Sequence, residues 1–143
     1  MSASPNLDLA RSIYAAWERG DFSQVEWADP DIEYEYADGP SPGRWEGLDG
    51  MAEGFREMLR SWNEYRVEAD EYRELDGERV LVLFHASGRG KTSGLELGQL
   101  RTQLAGLYHV RDGKVRRAVI YWDRKRALAE LGLAPEVEAT DPR

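Results

Sequence analysis

An α+β fold, with helices segregated to one side of an antiparallel sheet, is predicted by three features of the sequence. Two amphipathic helical stretches lie in the first half of the chain, β patterning fills most of residues 65–123, and two Asp-Gly dipeptides punctuate it as hairpin turns. The length of 143 residues suits one domain, placed at residues 1–133, with a polar C-terminal tail at 134–143.

Each element has its own signal. Ala10, Ile13, Tyr14 and Trp17 fall on one helical face within residues 6–19, with Asn6 as the cap and Gly20 as the stop. Ile32, Tyr34 and Tyr36 alternate with Glu33 and Glu35, which predicts a half-buried strand with both tyrosines inward. Residues 37–47 read as a Pro/Gly-rich loop. Asp49 then opens a second helix through Asn63, with Met51, Phe55, Met58, Leu59 and Trp62 as its apolar stripe. Strands follow at 65–75, 79–88, 97–110 and 114–123, with a last helix at 124–131 stopped by Gly132. In the first of these strands Tyr65, Val67 and Ala69 alternate with Arg66, Glu68 and Asp70, so one face is wet. The run VLVLF at 80–84 is apolar on both faces and predicts cover on both.

A two-residue turn at Asp112-Gly113 sets a register in which Tyr108 faces Arg117, Gly106 faces Val119, Leu104 faces Tyr121 and Thr102 faces Asp123. Ala118, Ile120, Trp122 and His109 then share the other side, where His109 reads as interface or surface. Both sides are mostly apolar, and the second predicts contact with another copy of the chain, a homodimer. Asp123, at the end of a ring-lined wall, has two compatible readings: a desolvated acid–base group, or the N-cap of the final helix.

Composition narrows the function classes. Lys plus Arg number 19 and Asp plus Glu 27, a net charge of −8 that argues against nucleic acid or an anionic membrane as partner. The chain lacks cysteine, which excludes thiolate chemistry and suits a cytoplasmic location. It also lacks an apolar run of membrane-spanning length and an N-terminal secretory pattern. Two histidines, His85 and His109, without clustered carboxylates make no metal pattern. Gly90-Lys91-Thr92 is no phosphate loop, because His85 stands where the motif needs its first glycine. Five Trp, seven Tyr and three Phe supply rings for a core, a pocket or an interface.

An ordered set of short features spans residues 6–133: Tyr14 and Trp17 before Gly20-Asp21, Asp29-Pro30-Asp31, Arg44-Trp45-Glu46-Gly47 with Gly50, and Gly113 before Tyr121-Trp122-Asp123, Ala127-Leu128 and Leu131-Gly132-Leu133. The set resembles the SnoaL-like proteins of the nuclear transport factor 2-like superfamily, which includes ketosteroid isomerases and polyketide cyclases. The resemblance implies a cone-shaped, strongly curved antiparallel sheet wrapped around helices, a cystatin-like α+β roll with a pocket inside, and a dimer formed through sheet surfaces. The cyclases use an aspartate near the last helix, which Asp123 resembles, although Arg124-Lys125-Arg126 after it is more basic than the pattern. Tyr14 resembles the oxyanion-donating tyrosine of the isomerases. Their neutral carboxylic acid falls here at Gly106, and their base falls near Glu35 or Tyr36, so little supports steroid isomerisation.

The reading that follows is a pocket protein for a hydrophobic, carbonyl-bearing small molecule. As an enzyme it would be a cofactor-free isomerase, cyclase or hydrolase in which Asp123 moves a proton and Tyr14 or Arg117 stabilises the oxyanion. The alternatives are a non-catalytic carrier and a dimerisation module. Pocket candidates are Trp17, Tyr34, Tyr36, Trp45, Phe55, Trp62, His85, Tyr108 and Tyr121, several of which serve equally as plain core. The remaining basic residues near the C-terminus, Arg124 and Arg126 among them, read as solvated surface.

Overall fold

The computed structural model describes residues 4–38, 42–60, 62–90 and 100–133, without the side chains of residues 62–64, 89–90 and 100–101. Its elements run α1 (Pro5–Glu18), β1 (Ala28–Tyr36), β2 (Gly43–Glu46), α2 (Gly47–Arg60), β3 (Trp62–Glu74), β4 (Arg79–Gly90), β5 (Leu100–Arg111), β6 (Lys114–Tyr121) and α3 (Arg124–Glu130).

Local chemistry accounts for the boundaries. Ser4, rather than Asn6, caps α1: its Oγ accepts from the N–H groups of Asn6 and Leu7, and Pro5 occupies the first turn where no donor is needed. The Pro/Gly-rich loop contains a short strand, β2, that pairs antiparallel with β1 and sets Trp45 opposite Tyr34. α2 starts at Gly47 and ends at Arg60, so Trp62 opens β3 instead of extending the helical stripe. Asp112 and Gly113 both have positive φ, 55° and 75°, as a two-residue hairpin turn requires. Lys91, Thr92 and the tail from residue 134 lie outside the described residues.

The six strands form one curved, mixed sheet in the order β2-β1-β6-β5-β4-β3. All ladders are antiparallel except one: β1 runs parallel to β6, aligning Tyr34 with Ala118 and Tyr36 with Ile120. Register shifts interrupt the β1/β6, β3/β4 and β5/β6 ladders, and such bulges bend and twist a sheet.

One bulge decides the sidedness of the C-terminal half. Arg111 pairs with Lys114 and Val110 with Val115, as a regular hairpin dictates. Arg116 is then an extra residue, and the pairs become His109 with Arg117, Tyr108 with Ala118 and Gly106 with Ile120. Because side chains alternate with period two, this one-residue slip exchanges the faces of β6 relative to β5. Ala118 and Ile120 join Tyr108 on the face covered by α1 and α2, while Val119 and Tyr121 turn to the opposite face.

The two faces are buried differently. Ile13, Tyr14 and Trp17 of α1 and Met51 and Phe55 of α2 pack on the face carrying Tyr34, Val82 and Phe84. The opposite face, with Leu81, Leu83, Ala105, Leu107, Val119 and Tyr121, is covered by Ala127 and Leu128 of α3. Both faces of β4 are therefore buried, which explains its unbroken apolar run. Leu81, Leu83 and Ala105 on this face are fully buried within the chain. Among the described residues, no helix is long and apolar enough to cross a membrane.

Candidate functional site

A ring-lined cleft opens between α1, α2 and the sheet face they cover. Its lining is Trp17, Phe22, Phe55 and Met58 with Tyr34, Tyr36, Tyr65, Val67, Phe84, Ile120 and Trp122. The cavity between the rings is small, about 20 Å³, room for about one water molecule. The cleft is narrow, because its rings touch edge to face: Phe55 lies 5.0 Å from Tyr34, 5.8 Å from Trp17 and 6.1 Å from Phe22 between centroids.

The backbone places these rings simply. Tyr34 and Tyr36 are two residues apart on β1 and project to one face. Trp45 backs them, its ring 6.3 Å from Tyr34 and 5.3 Å from Tyr36. Gly54 of α2 makes this possible: a Cβ there would meet the Trp45 ring at 3.1 Å and the Tyr34 ring at 3.3 Å.

Two phenol pairs supply the polar content. The Tyr34 hydroxyl donates to the Tyr36 hydroxyl across 3.0 Å, beside the cleft. The hydroxyls of Tyr14 and Tyr108 lie 2.6 Å apart, deeper in the core. Burial raises the pKa of all four, and of Tyr65, because desolvation disfavours the phenolate. Tyr36 is pushed up to about 12 by burial, while the bond from Tyr34 works to lower it. All of these phenols are neutral at pH 7. Among the described residues, no carboxylate, imidazole, lysine or arginine lines the cleft, and no cluster of His, Cys, Asp and Glu suits a metal ion.

Trp17, Tyr34, Tyr36 and Phe55 come together in the cleft. Tyr14 and Tyr108 sit behind it, each hydroxyl engaged with the other. Trp45 forms an outer backing, and the side chain of Trp62 lies outside the description. The bulge at Arg116 carries the rest away. Tyr121 packs under α3. Arg117, on the same face, pairs with Glu35 at 3.1 Å and with Glu33 at 3.8 Å instead of meeting a ligand oxygen. Asp123 is exposed and caps α3, its carboxylate accepting from the N–H groups of Lys125 and Arg126. A desolvated aspartate beside the rings is not what this geometry provides.

His85 also faces away from the cleft. Its Nε2 lies 2.9 Å from Glu68 and its Nδ1 2.9 Å from Asp70. Asp70 in turn holds Arg124, whose side chain is 4% exposed and whose guanidinium also donates to the carbonyls of Leu104 and Phe84. Arg124 is thus a buried tie between α3 and the sheet, not a solvated surface residue.

Several lining residues escape the sequence reading. Ile120 and Trp122 are assigned by it to the wrong side, since nothing in the sequence marks the bulge at Arg116. Phe22 follows α1 in an irregular segment with no periodicity to reveal it. Tyr65 and Val67 were legible in the alternation that marks their face of β3 as dry. Asp38 gave no signal. Outside the lining, its side chain is 13% exposed, with Oδ1 accepting the N–H of Trp122, a lining residue, and Oδ2 3.6 Å from the Arg126 guanidinium.

A family model described as a SnoaL-like domain matches residues 10–118. The chain belongs to the SnoaL-like domain family. Solved structures of the same architecture accompany this match. TerC, co-crystallised with polyporic acid, is 24% identical, with 90% of this SnoaL-like chain and 98% of TerC covered at a TM-score of 0.70. An NTF2-like protein of unknown function from Burkholderia pseudomallei K96243 is 21% identical, covering 89% and 97% of the two chains at a TM-score of 0.74. A protein from Xanthomonas campestris pv. campestris, provisionally named a polyketide cyclase, is 21% identical, covering 89% and 96% at a TM-score of 0.64. At these identities the likeness is one of fold. No curated protein sequence matches the chain.

Proposed function

We propose that this SnoaL-like chain binds an apolar, aromatic small molecule bearing at least one neutral oxygen acceptor. The lining of the cleft carries the reading: indole, phenyl and phenol rings surround it, and its polar groups are neutral phenols and indoles. Such a surface desolvates and stacks on a planar ligand while giving it a few directional hydrogen bonds. The co-crystallisation of TerC with polyporic acid supports looking for a small organic ligand here. Binding of 1-tetralone to the purified protein tests the reading, by calorimetry and by NMR of the indole N–H signals. One-to-one heat with shifts at the Trp17 and Trp122 indoles supports it. Absent heat and unmoved indole signals would end it.

One observation favours a second reading, proton transfer beside a carbonyl. Asp38 Oδ2 is buried without a hydrogen bond, and Oδ1 holds the backbone of Trp122, a residue of the cleft wall. A carboxylate tied to the backbone of a lining residue, its other oxygen facing Arg126 at 3.6 Å, has the chemistry of a general base. Exchange of the α-hydrogens of 1-tetralone in D2O, faster with wild type than with Asp38→Asn, supports that reading. Exchange no faster than buffer leaves binding as the function.

A further inference from the structure

We propose that Tyr36 is the donor that anchors the ligand oxygen in the cleft, with Tyr34 as the group that prepares it. The inference rests on the small-molecule reading above. It begins with direction: the Tyr34 hydroxyl donates and the Tyr36 oxygen accepts. Tyr36 therefore keeps its own proton to give. Among the described residues nothing accepts that proton, although Tyr36 is 5% exposed and lines the cleft. Buried hydroxyl donors normally find an acceptor, and the cleft that Tyr36 lines is where a ligand would supply one.

The bond from Tyr34 also changes the quality of the donor. A hydroxyl that accepts a hydrogen bond is polarised and donates more strongly. The same bond lowers the pKa of Tyr36 against the upward push of burial, so its proton is held less tightly than burial alone would hold it. The other phenol pair cannot serve in this way. Tyr14 and Tyr108 lie outside the lining, sealed behind it.

The setting selects the acceptor. With no cation in the lining among the described residues, a buried carboxylate would lose its hydration without compensation. A neutral carbonyl loses far less and receives the Tyr36 hydrogen bond. The cleft is thus matched to aromatic ketones and quinones over aromatic acids.

A matched pair of probes tests this: 1-tetralone, and tetralin, which lacks the carbonyl. Calorimetry on wild type, Tyr36→Phe and Tyr34→Phe gives the affinities, and infrared spectroscopy gives the carbonyl stretch of bound 1-tetralone. Wild type is expected to prefer 1-tetralone by about tenfold, the range of one net hydrogen bond. Tyr36→Phe is expected to erase that preference, read as the ratio of the two affinities within each variant, and Tyr34→Phe to retain only part of it. The bound carbonyl stretch should fall to lower wavenumber in wild type. An undiminished preference in Tyr36→Phe, or an unshifted stretch in wild type, overturns the proposal without need of a second variant. Equal binding of both probes to wild type leaves the small-molecule reading standing and removes the anchor. Failure of wild type to bind either probe removes both.

Discussion

The hydroxyls of Tyr14 and Tyr108 meet at 2.6 Å in the space that a Cβ on Gly106 would occupy. Glycine at this position of β5 is what lets two phenols from α1 and the sheet converge on the strand backbone. A Cβ there would approach both hydroxyl oxygens to 2.8 Å, closer than van der Waals contact permits.

Gly106→Ala should therefore destabilise the fold by about 2–3 kcal/mol, since two fully buried rings have no room to retreat and their hydroxyl pair is forced apart. Urea denaturation checks this. A change under about 0.5 kcal/mol would mean the pair tolerates the intrusion and the packing argument fails.

Asp70→Asn should destabilise by about 1–3 kcal/mol, because it removes a counter-charge 2.8 Å from the buried Arg124 side chain. The partial exposure of Asp70 keeps the loss below that of a fully buried pair. Hydrogen exchange should show α3 loosening first, as Arg124 is its first residue. Uniform loosening with α3 still protected would count against this role.

Asp123 separates capping from catalysis. Asp123→Ala should cost about 1 kcal/mol of stability through loss of the α3 cap, and Asp123→Asn much less, because asparagine caps as well. Neither change should alter 1-tetralone affinity by more than about twofold, since an exposed cap contributes no net hydrogen bond to a ligand. A large loss of binding in Asp123→Asn would restore it to the site.

Alkaline titration should unfold the protein as it ionises the tyrosines. Burial raises the folded-state pKa of Tyr14, Tyr34, Tyr36, Tyr65 and Tyr108, that of Tyr36 to about 12. The unfolded chain ionises near pH 10, so the stability present below that pH is lost as pH climbs towards 12 and beyond. Tyrosinate absorbance and circular dichroism should change together in one steep step. Seven tyrosines ionising smoothly near pH 10 with the fold intact would contradict the burial.

Much of the architecture was legible. The helix of Tyr14 and Trp17, the β1 alternation and the Asp112-Gly113 turn all carry local signals that depend on a few neighbouring residues. β2 was hidden because a four-residue edge strand inside a Pro/Gly-rich loop has no room for periodicity. Arg124 read as surface because its burial depends on Asp70, 54 residues earlier, arriving beside it. The facing of Tyr34 and Tyr36 was legible because it follows from alternation alone, and that of Trp122 was not because it follows from the bulge.

By itself the sequence determined the α+β class, the membership in the SnoaL-like family, the turns and the apolar load of each strand, because these rest on local conformation and short-range pattern. Only the tertiary structure decided which residues share the cleft. Strand side chains alternate with period two, so the single extra residue at Arg116 moved Ile120 and Trp122 into the cleft wall and sent Arg117 and Tyr121 to the other face. That exchange took the expected acid–base machinery out of the site and left the paired phenols of Tyr34 and Tyr36 beside the cleft.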